Sequence, residues 1–276
     1  MLNNQQLKKR QAAVAGQFYP LEQYELSAEV DALLTAAQKP LVKNVKALIA
    51  PHAGYCYSGP IAANAYAYIV PIKHKIKRVV LLGPAHRVAF KGLALSSATA
   101  FQTPLGDVML DKDALNQLSL FKQVTINDRA HQQEHSLEVH LPFLQRILDD
   151  FTLVPLVVGD ASVDEVAMVL DALWGGDETL ILISSDLSHF LNYQQAQQID
   201  EKTTAAINAF NYEAIGYENA CGRNPVNGLL LQAQTKGLKV KTIDVRNSGD
   251  TAGSLDRVVG YGAYVFYNPT EDSQNV

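Results

Sequence analysis

The sequence predicts a single α/β domain with a central, mainly parallel or mixed β-sheet flanked by helices. Three observations predict it. Ala47–Ala50, Arg78–Leu82, Phe151–Val158 and Leu180–Ser184 are short, near-continuous apolar runs, the pattern of strands buried on both faces. Segments with helical spacing separate them, and strands alternating with helices build parallel sheets. Three of the runs end in the same way: Pro51-His52, Gly83-Pro84-Ala85-His86 and Ser185-Asp186-Leu187-Ser188-His189. The carboxyl ends of parallel strands are where open α/β sheets bind ligands.

The elements follow in order. Residues 1–11 are polar and expected to be loose, and Ala12–Pro20 reads as an extended arm carrying Phe18 and Tyr19. Leu21–Gln38 has helical spacing and stops before Pro40. The first central strand is broken by Pro51, which cannot donate to a ladder, and a helix is predicted over Gly59–Ile69. After the strand ending at His86, Gly92–Ser97 reads as a strand, Thr103–Gly106 as a turn and Asp111–Leu118 as a short helix. Thr125–His135 is polar, and Ser136–Leu148 turns apolar at helical spacing. Phe151–Val158 is a strand, Val163–Trp174 a helix, and Tyr193–Phe210 a long amphipathic helix opening directly after His189. A helix begins at Asn224 or Pro225, where proline in the first turn costs nothing, and runs to Lys236. Leu238–Val245 alternates like an edge strand, and Val258–Tyr267 closes the chain. No linker rich in Pro, Gly or Ser and no repeat divides it, so one domain is expected over residues 12–268, with a tail at 269–276.

Composition excludes several classes. The 47% hydrophobic and 18% charged residues supply a core, and a net charge of −5 without a basic stripe argues against a nucleic-acid partner. Two cysteines make no disulfide framework, which points to a reducing compartment. The polar start and the absence of an apolar run of about 18 residues argue against membrane insertion, so the cytoplasm is the expected location. No GxGxxG, Walker loop or GxSxG elbow is present.

Seven histidines remain to be explained. His74, in a basic turn, is expected to be solvated, and His140 reads as a partly exposed helix residue. His52, His86 and His189 share the strand-end position and are the candidates for one site. Paired neutral imidazoles suit iron, zinc or copper and need a third ligand. Asp186 and Glu134 are the carboxylate candidates, and Cys221 and Cys56 the thiolate candidates. Cys221 precedes a helix, whose N-terminus favours thiolate, but a small buried hydrophobe is an equal reading; for Cys56, between two tyrosines, the hydrophobe reading is preferred. The same residues would also serve a Cys–His hydrolase, with Cys221 as nucleophile, His189 as base and Asp186 orienting it, although two strand-end histidines would then have no role.

Taken together, Ala15–Pro20, Ala50–Gly59, Leu82–His86, Glu134–Leu144, Ser184–His189, Cys221–Pro225, Ser248–Asp250 and Val259–Tyr261 resemble, in order, the motifs of the Memo family (mediator of ErbB2-driven motility and its prokaryotic relatives, the AmmeMemoRadiSam system protein B group). The resemblance implies a fold similar to class III, LigB-type, extradiol dioxygenases, which hold non-haem iron. It implies His52, His86 and Cys221 as metal ligands, the cysteine standing where those dioxygenases have a glutamate. Asp186 and His189 would form the catalytic pair beside them, with Phe18, Tyr57 and His135 in the pocket. The expected function is a metal-dependent dioxygenase or oxidase using iron, with copper or zinc as alternatives. The alternative is a non-catalytic module binding a peptide or small molecule in the same crevice. The group label also suggests an AMMECR- or radical-SAM-type protein partner.

Overall fold

The computed structural model describes residues 8–269; the segments 1–7 and 270–276 lie outside the described residues. Strands are β1 (Lys9–Arg10), β2 (Val45–Ala50), β3 (Arg78–Pro84), β4 (Leu93–Leu95), β5 (Ala100–Thr103), β6 (Gly106–Met109), β7 (Val124–Ile126), β8 (Thr152–Val158), β9 (Thr179–Ser184), β10 (His189–Leu191), β11 (Lys239–Asn247) and β12 (Val258–Tyr267). Helices are α1 (Gln23–Ala36), α2 (Tyr55–Tyr66), α3 (Lys112–Leu118), α4 (Asp128–Gln132), α5 (Leu141–Ile147), α6 (Val163–Ala172), α7 (Tyr193–Asn208) and α8 (Arg223–Thr235).

Nine strands form one mixed sheet in the order β10-β12-β2-β9-β3-β8-β4-β7, with β11 also on β12. At its centre β2, β9, β3 and β8 are mutually parallel, while β12 runs antiparallel to β2. Alternate side chains of these strands enter two cores. Leu48, Val79, Leu81 and Leu182 pack with α1, α2 and α5 on one face. Ala47, Ile49, Val80, Leu82 and Ile181 pack with α6, α7 and α8 on the other. Both faces are covered, which is why these strands read as continuous apolar runs rather than alternating ones. This is a single α/β domain with a mixed sheet flanked by helices.

Four local departures have physical reasons. Residues 8–11 are not a loose lead-in: β1 pairs in parallel with β5, and Arg10 is buried. Helix α2 begins at Tyr55, four residues before the predicted start, and carries Pro60 inside it at the loss of one backbone bond. The predicted Ser136–Leu148 helix is instead a 3₁₀ turn at Glu138–His140 followed by α5, because Pro142 has no N–H for the Glu138 carbonyl and fits only a new first turn. Finally, His189 opens β10, which precedes α7 and pairs with β12 through a bulge, with Phe190 at φ +60°.

Candidate metal centre

The sheet register assembles the site. Ala50 on β2 is paired with Ser184 on β9, and β3 lies on the far side of β9. His52, Asp186 and His86 each stand two residues beyond the end of one of these three adjacent strands. Three strand ends therefore open into one crevice, as the sequence reading requires. The segment 134–137 reaches the same crevice by packing on the end of β3. A Cβ at Gly83 would lie 2.8 Å from Leu137 Cδ2 and 2.9 Å from Ser136 Oγ, so only glycine admits this approach. The Ser136 hydroxyl then donates to the Pro84 carbonyl at 2.9 Å.

His52, His86 and His135 each turn a nitrogen inward, and those atoms all lie within 4.8 Å of one another. The His86 and His135 rings stack with centroids 4.7 Å apart, and His52 stands edge-on to both, at 5.1 and 5.4 Å. Neighbours fix the protons. The Ser184 hydroxyl donates to the Ser136 carbonyl at 2.6 Å, so toward His52 Nδ1, also at 2.6 Å, it can only accept. The proton is therefore on Nδ1, and the Nε2 lone pair of His52 turns into the crevice, where the Cys221 thiol lies 3.4 Å away. At His86, Nδ1 donates to Glu134 Oε1 at 2.9 Å, leaving Nε2 with its lone pair. Burial alone would raise the Glu134 carboxyl, but the His86 ring and backbone N–H and the Ser136 N–H outweigh it and bring it down to about 2. His135 Nδ1 lies 3.4 Å from Glu134 Oε1 and is buried without a hydrogen-bond partner. Burial depresses the basicity of His52 well below the ordinary range, with the surrounding imidazoles adding to it, and brings His135 to about 4. Neutral imidazoles with inward lone pairs, two of them oriented by outer acceptors, form a donor set that could hold a transition metal.

Asp186 lies against this group. Its Oδ1 accepts the His52 backbone N–H at 2.8 Å, and burial pushes its carboxyl up to about 7. Cys221 Sγ is 3.4 Å from His52 Nε2, but it falls outside the three-imidazole group. Burial, followed by the Asp186 charge, pushes the Cys221 thiol up. It is held there by Gly222, where a Cβ would meet the Ser184 carbonyl oxygen at 2.5 Å. His189 is also outside the group. It lines a cleft of about 490 Å³ together with Phe18, Tyr57, His135, Asp186 and Tyr261, and burial lowers its basicity.

The remaining candidates fall elsewhere. Cys56 is exposed in the first turn of α2 and lines the cleft, not the core, because α2 begins early enough to turn it outward. His140 is fully buried rather than half-exposed, with Nδ1 2.7 Å from the Tyr66 hydroxyl. Glu134 supports His86 from behind instead of facing the crevice. Sequence reasoning missed Ser184 and Ser136 as orienting groups and Arg10 and Glu138 as supports. The serine at the last position of β9, directly opposite Ala50, is the one signal that could have pointed to the first.

The family model described as Memo-like protein matches residues 10–265. The chain belongs to the Memo family. A MEMO1 family protein of Aquifex aeolicus is 34% identical, over 94% of this chain and all of that one. Relatives from Saccharolobus solfataricus, at 32% identity, and Methanosarcina barkeri, at 33%, cover 94% and 93% of this Memo-family chain and 99% of their own. Among solved structures, the uncharacterized protein JW3007 from Escherichia coli K12 superposes with a TM-score of 0.50 at 14% identity, covering 79% of this chain and 99% of that one. That likeness concerns the fold alone. Among the described residues no helix is long and apolar enough to cross a membrane.

Proposed function

We propose that this Memo-family protein binds a redox-active transition metal, iron or alternatively copper, on His52, His86 and His135, and uses it to oxidise a small organic substrate admitted through the adjoining cleft. The observation that carries the reading is the convergence of three inward imidazole nitrogens within 4.8 Å of one another. Such an ion would supply Lewis acidity and one-electron chemistry. The protein's own groups would do the rest. Ser184 and Glu134 hold the ligand rings in one tautomer. The aromatic walls Phe18, Tyr57 and Tyr261 orient a planar substrate and exclude water. His189, neutral because buried, accepts a proton from a substrate hydroxyl, and Asp186, with its carboxyl at about 7, holds or releases one near neutrality.

The test is elemental analysis of anaerobically purified protein beside His135→Ala, Cys221→Ser and His52→Ala variants. Stoichiometric iron or copper that is lost in His52→Ala and His135→Ala but kept in Cys221→Ser supports the three-imidazole set. Loss in Cys221→Ser with retention in His135→Ala would replace His135 by the thiolate. Stoichiometric zinc, or absence of any metal after loading, sinks the redox reading. A purely ligand-binding role is the second reading, favoured by the aromatic rings that line the cleft; it predicts ligand affinity that survives chelation. The cysteine hydrolase reading finds no support in a thiol held protonated and 3.4 Å from His52 rather than paired to His189.

A further inference from the structure

Of the fifteen residues lining the cleft, Arg257 is the only lysine or arginine. It makes no ion pair among the described residues, in a chain whose net charge is −5. It is not simply loose. Its guanidinium carbon sits 4.4 Å from the centroid of the Phe190 ring, a cation–π arrangement. Phe190 itself is at φ +60°, a left-handed backbone that a bulky residue adopts only under constraint, and 61% of its surface is exposed. The left-handed residue stands at the bulge where β10 meets β12, and a bulge does not by itself require an exposed aromatic ring there. What the ring does accomplish is to set a platform at the rim on which Arg257 rests. The cleft also carries the exposed Ser254, and Phe18, Tyr57 and Tyr261 bring aromatic rings to its lining.

We propose that the cleft takes a planar organic anion, with its carboxylate or phosphate on Arg257, its ring between Phe18, Tyr57 and Tyr261, and its reacting end toward His189 and Asp186. Arg257 is thus a specificity-determining residue. This rests on the reading of the cleft as the substrate entrance, and it names the substrate class. The chemistry follows from the side chains. A guanidinium binds carboxylate and phosphate through paired N–H donors. Asp186 is the one carboxylate lining the cleft and makes no ion pair with Arg257 among the described residues, so the guanidinium remains available to a ligand. Aromatic faces select a flat body.

The experiment is a binding titration by ligand-detected NMR, using benzoate and phenyl phosphate against neutral benzamide, on metal-free and zinc-loaded full-length protein. At least tenfold tighter binding of one or both anions than of benzamide, in both forms, is expected. Benzoate and phenyl phosphate compared directly distinguish the carboxylate from the phosphate. In Arg257→Gln the advantage falls to the benzamide level, and in Arg257→Lys part of it remains. Phe190→Ala, which frees the guanidinium, reduces it while leaving the charge in place. Anions that bind no better than benzamide, or an advantage that persists in Arg257→Gln, overturn the proposal. An anion preference seen only with metal present does so too, since the metal would then be the anion's partner. His52→Ala separates the two claims: loss of metal with retained anion preference leaves the subsite standing while the metal-centre reading is tested on its own.

Discussion

At His86, one carboxylate sets both the position of the ring and the place of its proton. Glu134 receives the His86 ring N–H, the His86 backbone N–H, and the backbone N–H groups of His135 and Ser136. It joins two candidate ligands through a single anion. Glu134→Gln keeps the shape but removes the charge that makes the imidazole a better donor, so metal affinity is expected to fall roughly 10- to 100-fold in a competition titration, with the fold intact by circular dichroism. Unchanged affinity would mean that Glu134 only braces the loop. His52 and His86 were legible as members of the imidazole group because each closely follows a buried strand, a relation visible in one dimension. His135 was legible as a pocket residue but not as a member of the imidazole group, because its place depends on contacts with Gly83 and Glu134 made across the fold. His140 misled for a related reason: its spacing suits a half-exposed helix face, and only the packing of α2 against it seals that face.

Among the elements, the N-terminal arm is tied to the ligand-bearing segment more firmly than its polar sequence suggests. Arg10 Nε donates to the His131 carbonyl at 3.0 Å, and its terminal nitrogens meet the Glu134 carbonyl and the Glu138 carboxylate. Glu138, fully buried, also accepts from the Ala13 and Val14 N–H groups at 2.7 and 3.0 Å and from the Tyr19 hydroxyl at 2.5 Å. The arm then delivers Phe18, whose ring lies 4.9 Å from that of His135 and whose carbonyl caps α2 at Tyr55. Arg10→Met leaves the Glu138 charge buried and unpaired, and is expected to destabilise the protein by about 3–5 kcal/mol in urea unfolding. Arg10→Met combined with Glu138→Gln removes that charge while keeping an acceptor for the Ala13, Val14 and Tyr19 donors, and should recover much of the loss; if it does not, the network contributes more than the pair. A lone polar arginine near the start of the sequence gives no sign of burial, and helical spacing runs straight through the break at Pro142 as one helix, whereas the break at Pro51 is written in residue type. Strand and helix order could be read for that reason, and the arm could not.

For the whole molecule, the alternation of strands and helices was readable because both faces of the sheet are apolar, but the strand order was not, since β2 neighbours β9 and β12 rather than its successor. The same topology buries ionisable groups between layers. Asp200 on α7 accepts the Ser188 N–H at 3.0 Å, and burial pushes its carboxyl up to about 6. A folded-state value above the unfolded one means that the native protein binds the extra proton between about pH 4 and 6, so this group's contribution to stability declines as pH rises through that window. Asp200→Asn is therefore expected to gain relative to the wild type on going from pH 4.5 to pH 7, by at most about 3 kcal/mol, in metal-free protein. Equal differences at the two pH values would show that Asp200 is effectively solvated.

The placement of His52, Asp186 and His86 beyond the ends of three neighbouring strands also has a consequence for the order of events during folding. His52 and Asp186 are 134 positions apart, His86 and Glu134 are 48 apart, and His52 and Cys221 are 169 apart. No short stretch of chain holds two of the strand-end groups, so the cluster cannot form before β2, β9 and β3 have come into register. Long-range pairing of this kind is slow. An ion that needs the finished cluster finds nothing to hold in the transition state. Metal added to the denatured chain should leave the refolding rate as it is and act almost wholly by slowing unfolding, the reverse of small metal-nucleated domains in which binding and folding are one step.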